Sequence, residues 1–213
     1  MLEVYLTFLL ISLIVAINQR RFLTENFRWL MWSLYVTCVV EGIGYYHLKM
    51  VKNSNFIYHF YQPIEYMLVA LFFLNTINSV SVKKWIGRSI PGFLLVCVLN
   101  TLFFQKLNSP NSTSFMVESA LLILWSGIYF FELFKGNTEE KIWAIPEFWI
   151  STGVLFFYAG TFFLMGLLNY LYKVDMGLAK KLYVINHILN ILLYSLYTVG
   201  FICKARQMKS SLL

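Results

Sequence analysis

Three carboxylates (Glu41, Glu65 and Glu118), two histidines (His59 and His187) and two amides (Asn186 and Asn190) stand inside otherwise apolar stretches of this sequence. A charge in hydrocarbon needs a cation or several hydrogen-bond donors beside it, so such groups mark ligand sites, ion paths or bonds between helices. Carboxylates gathered with amides suit a small polar or cationic ligand, or an ion. The plainer role is interhelical bonding, at roughly 1 kcal/mol or less per bond. No catalytic residue is assigned, and the metal-binding capacity of the set is left open.

The elements that must position these groups follow from composition. Of 213 residues 59% are hydrophobic and only 13% charged, with a mean hydropathy of +0.67. That leaves too little polar surface to cover a water-soluble particle, so the solvent is a lipid bilayer. Seven apolar runs follow one another: Leu2 to Ile17, Trp29 to His47, Phe56 to Ile77, Ile86 to Phe104, Ser114 to Phe134, Pro146 to Leu171 and Leu182 to Cys203. Apart from the marginal first, each approaches the 17 to 25 residues that cross a core of about 30 Å. The first run has Glu3 in place of a basic n-region and no cleavage site after it, and is expected to be kept as a helix. The fold expected is all-α: a single seven-helix transmembrane domain over residues 1–213.

The net charge of +7 comes from Lys and Arg in short connections, which makes them topology signals and excludes a nucleic-acid surface. Eleven of the seventeen lie in one alternating set of connections, including the segment after the last run, and six in the other. The C-terminus is therefore expected in the cytoplasm and the N-terminus outside. On that topology Glu41, Glu65, Glu118, Asn186 and Asn190 fall roughly 6 to 14 Å below the outer surface, at about 1.5 Å per residue. His59 and His187 lie slightly shallower, His47 at the rim, and Asn100 and Asn169 in the outer half. Helical phase adds stripes: Ser33, Thr37, Glu41 and Gly44; Tyr61, Glu65 and Phe72; Tyr158, Thr161, Met165 and Asn169; Tyr183, Asn186, Asn190, Tyr194 and Tyr197. These faces should point into the bundle. Tyr45, Tyr46, Tyr58 and Tyr61 read first as an interfacial belt.

The inner half offers Ser33, Thr76, Ser126, Ser151, Thr152, Ser195 and Thr198 but no carboxylate or imidazole, which argues against a charged relay from side to side. Pro63 and Pro146 fall near helix starts, and Gly153, Gly160 and Gly166 allow close packing on the sixth helix. Cys38, Cys97 and Cys203 lie in apolar stretches without metal-type spacing and read as small hydrophobes. Turns are expected at 53–55, 108–112 and 136–137. The seventh run has lysine only at its ends, which excludes a retinal Schiff base. A zinc hydrolase built on His47, His59 and His187 lacks a His-x-x-x-His pair on one face. Ser126 and His187 fall in opposite halves, so they do not form a protease pair.

The stretch from Pro146 to Gly160 (PEFWISTGVLFFYAG), together with Asn186 to Tyr194 (NHILNILLY) and Tyr197 to Phe201 (YTVGF), resembles a group of small, uncharacterised bacterial seven-helix proteins. These in turn resemble the membrane sensor modules of histidine kinases. The resemblance implies a multi-pass protein of the bacterial inner membrane engaged in two-component signalling. The function expected is a sensor or receptor-like module that binds a small polar or cationic ligand, or an ion, from the outer side. It would signal through a partner such as a histidine kinase, since the tail after Cys203 is short. A small-solute transporter and a metal-dependent intramembrane hydrolase are the alternatives.

Overall fold

The computed structural model describes residues 2–51, 55–107, 109, 111–136 and 141–211, except the side chains of 2, 48, 49, 51, 168–170, 172, 173 and 180. Parts of the expected turns at 53–55, 108–112 and 136–137 lie outside these, as does the Asn169 side chain. Seven α-helices run through the described residues: α1 (Leu2–Asn18), α2 (Glu25–Val51), α3 (Asn55–Thr76), α4 (Val80–Leu99), α5 (Ser112–Lys135), α6 (Pro146–Val174) and α7 (Met176–Ser210).

Several helix ends have local causes. The Ser79 hydroxyl accepts from the Val82 amide at the start of α4, and Asp175 Oδ1 from the Leu178 amide at the start of α7, 3.0 Å away. Pro146 opens α6, where a missing N–H costs nothing. Beyond Leu99, α4 widens into a π-turn over Asn100–Phe104, closed by the Gln105 amide on the Asn100 carbonyl. Caps and turns of this kind carry α4 and α7 well past the apolar runs. Pro63 falls inside α3 rather than at its start, because the helix begins at Asn55.

Successive helices run up and down, and side-chain contacts fix which ends meet. Asn26, Thr76, Glu147 and Lys204, from α2, α3, α6 and α7, join at one end. Tyr5, Glu41 and His187, from α1, α2 and α7, meet toward the other. We call these the basic end and the carboxylate end. Helices α1, α2, α3, α5, α6 and α7 contact one another in that order and α7 returns to α1, closing a ring, while α4 packs on α3 and α5 at its rim. Aromatic rings fill the centre: Phe27 meets Phe72 and Phe201 edge-on at 5.8 Å, with Phe73, Tyr66 and Tyr158 also buried. Helices α6 and α7 meet across a glycine seam. A Cβ at Gly160 would stand 2.7 Å from Leu189 Cδ1, and one at Gly200 2.5 Å from Ile150 Cδ1. Gly153 joins the seam against Leu193 and Leu196, whereas Gly166 has nothing within 4 Å among the described residues.

Four helical stretches, Val80–Phe104, Ser112–Lys135, Pro146–Leu167 and Met176–Ser210, are long and apolar enough to cross a membrane. The stretch Glu3–Asn18 is apolar but shorter. Helices α2 and α3 are 27 and 22 residues long, and their hydropathy is lowered by the polar groups they carry, among them Glu41, His59, Gln62 and Glu65. The outer surface is apolar: Phe103, Phe104, Phe131 and Phe163 are each at least two-thirds exposed, a surface compatible with lipid.

Candidate functional site

Glu41, just past the middle of α2, receives a hydrogen bond from the Tyr5 hydroxyl of α1 at 2.7 Å, and the Tyr58 hydroxyl of α3 is within reach of the same carboxylate. The helical stripe below holds. Thr37 and Ser33 are buried one and two turns away, and the Thr37 hydroxyl bonds the Ser33 carbonyl and the Tyr61 hydroxyl, at 2.8 and 2.7 Å. His187 stacks on Tyr5 with ring centroids 5.1 Å apart and meets Tyr183 edge-on at 5.3 Å, so it forms a wall of the Glu41 site.

Glu65 lies one turn beyond Tyr61 on α3 and faces the ring interior. The hydroxyls of Tyr61 and of Tyr158, across the ring on α6, are near enough to donate to it, and Tyr194 and Tyr197 of α7 stand beside it. Two tyrosine hydroxyls from two helices therefore serve one carboxylate, and its charge is felt by two more tyrosines on a third. Tyr58 and Tyr61, expected in an interfacial belt, serve the carboxylates instead.

Glu118 of α5 is the deepest of the three, with no exposed surface and neither oxygen hydrogen-bonded within the described residues. It neighbours Glu65, Tyr158, Tyr66 and Cys97. Among the described residues no Lys or Arg pairs with Glu41, Glu65 or Glu118; the ion pair seen is Lys204–Glu147, at the basic end. Glu41 and Glu65 are half-buried, as are Asn186, His187 and Asn190, whereas Glu118 is sealed. The three carboxylates thus increase in burial from Glu41 and Glu65 to Glu118.

Not every expected residue joins it. His59 points to the α4–α5 side, where its Nε2 donates to the Ser109 carbonyl at 3.0 Å and its Nδ1 accepts from the Thr101 hydroxyl at 3.2 Å. A separate amide network lies on the same side. Asn100 Nδ2 lies 2.9 Å from Asn111 Oδ1, 3.0 Å from Ser114 Oγ and 3.0 Å from Gln105 Oε1, and Asn111 Nδ2 donates to Gln62 Oε1. Asn190 turns back on its own helix, donating to the Asn186 carbonyl at 2.9 Å. The three histidines are dispersed, and among the described residues no three His, Cys, Asp or Glu side chains converge as metal ligands.

No known protein family, curated protein or solved structure matches this chain.

The basic end carries a network that the helical runs alone do not reveal. Glu147, in the first turn of α6, bonds Lys204 at 3.1 Å and Asn26 at 3.4 Å, and Asn26 also donates to Thr76 at 3.1 Å. The basic end thus does hold a carboxylate, paired with a cation from α7. Tyr5, the donor to Glu41, was also missed. Its signal was a tyrosine in the second turn of a helix otherwise free of polar aromatics.

Proposed function

We propose that this chain is a seven-span protein of the bacterial inner membrane, with its N-terminus outside and its C-terminus in the cytoplasm. In this reading it is a sensor or receptor-like module that binds a small cationic ligand, metal or ammonium, from the outer side. A partner protein such as a histidine kinase would carry the signal onward. The observation that carries the proposal is Glu118: a sealed carboxylate that, among the described residues, has no hydrogen-bond partner and no Lys or Arg paired to it, with Glu65 as its neighbour. Such a group is met by a cation from outside the chain, a proton included.

The surroundings favour binding over passage. Between the carboxylates and the basic end the ring is filled by Phe27, Phe72, Phe201, Ile150 and Val154, all buried, and the Asn26–Glu147–Lys204 network closes the floor. The charge asymmetry of the connections supports the orientation, and α2 and α3 are long enough to span despite their polar residues. The test is thermal unfolding of purified protein titrated with sodium, calcium, ammonium and tetramethylammonium salts. One of these should raise the midpoint with saturation, and Glu65→Gln should weaken that binding by about 2 to 5 kcal/mol, as removal of one partner of a buried charge pair does. No saturable response to any of the four, or a response that Glu65→Gln leaves intact, would defeat the proposal.

A further inference from the structure

A groove of about 460 Å³ runs between α4 and α5, lined by Val82, Trp85, Leu121, Leu124 and Ile128 with Arg88 at its edge. We infer that it is a binding site for one anionic phospholipid, with the phosphate between Lys84 and Arg88 and an acyl chain along the groove.

Arg88 is the decisive group. It lies within one of the stretches apolar enough to span a membrane, is exposed, and has no carboxylate partner among the described residues. Its guanidinium stands 5.8 Å over the Trp85 ring, which fixes it at the mouth of the groove. Lys84 is one turn nearer the basic end on the same helical face, so two cations one above the other meet the lipid at headgroup depth. Below them the lining is aliphatic and aromatic, which suits a hydrocarbon chain and not a free anion. The back wall is built rather than incidental: Trp125 Nε1 donates to the Tyr66 hydroxyl at 3.2 Å, and that hydroxyl meets Ser89 Oγ at 2.6 Å. Tyr66 follows Glu65 in α3 and neighbours Glu118, so the lipid groove and the acidic site share a wall.

Native mass spectrometry of the full chain, released from micelles holding equimolar phosphatidylglycerol and phosphatidylcholine, tests this. The wild type should retain one phosphatidylglycerol in preference. Arg88→Gln should lower that preference about fivefold, the effect of one basic residue near a membrane surface. Arg88→Lys should keep it, and Leu124→Trp, which fills the groove, should lower retention of the lipid. Thermal unfolding of each variant confirms that the exposed substitutions leave the fold intact. Equal retention of the two lipids, an unchanged preference in Arg88→Gln, unchanged retention in Leu124→Trp, or displacement of the lipid by millimolar inorganic phosphate would each overturn the inference.

Discussion

On the receptor reading, replacing Glu118 with Met should make this protein more stable and abolish its response to the cation. The side chain is wholly buried and both oxygens lack a hydrogen-bond partner among the described residues, so each folded molecule carries the cost of an unsatisfied polar group, about 1 to 3 kcal/mol. Methionine has similar length and volume, so no cavity opens and the repacking cost stays below about 1.5 kcal/mol. The expected net is a gain of about 1 to 2 kcal/mol. For a chain of this size that is a rise of about 2 to 8 °C in the unfolding midpoint. Glu41→Met should move the other way, because it strips the Tyr5 hydroxyl of its acceptor at 2.7 Å. Both variants are measured without added cation by circular dichroism in detergent, and then with the salt that stabilises the wild type. Higher stability with lost response in Glu118→Met is the mark of a group kept for function at a cost to the fold. A midpoint lowered as far as that of Glu41→Met would show that the Glu118 oxygens hold the helices together, and the reasoning would fail.

Asn111→Ala should cost about 2 kcal/mol or more in detergent unfolding, since it leaves both Gln62 and Asn100 short of a partner, while cation binding survives. With an impermeant maleimide on intact cells, Lys106→Cys should label from outside and Ser210→Cys only after the membrane is opened; the reverse pattern would invert the proposed orientation. Native Cys203, half-buried with its thiol 3.2 Å from the Ala144 carbonyl, should change its labelling rate in permeabilised membranes when the stabilising cation binds. Gly160→Leu, which wedges α6 from α7, should abolish that change; an equal change in the variant would exclude the seam as the route.

What the sequence made legible is what lies along a single helix. Ser33, Thr37 and Glu41 recur at 3.6-residue phase, and the structure buries Ser33 and Thr37 and leaves Glu41 half-buried on the same face. What it hid is which helices meet. Tyr5 and Glu41 are separated by 36 residues, and Asn26 and Glu147 by 121, so no local pattern pairs them. The grouping of His59 with the carboxylates rested on depth alone. Six residues separate His59 from Glu65, which at about 100° per residue turns the two side chains about 120° apart. One faces the ring and the other faces α4, so phase carried information that depth did not.

The two networks also bear on how a signal would cross the bundle. Tyr158 and Tyr194, beside Glu65, belong to α6 and α7, and so do Glu147 and Lys204 at the basic end. Between them the helices touch through Gly153 and Gly200, with Gly160 just beyond Tyr158, where contact is close and no side chain from these positions locks the two together. A cation neutralising Glu65 and Glu118 changes the forces on Tyr158 and Tyr194 at one end of that seam. The packing between is dense and apolar, so a displacement is carried as a movement of whole helices rather than absorbed locally. The Glu147–Lys204 pair joins the same two helices and is 17% and 11% exposed, poised at the basic end where a partner would read the movement. On the receptor reading, the acidic site and the ion pair are two ends of one lever formed by α6 and α7, and α4, packed at the rim, is not part of it.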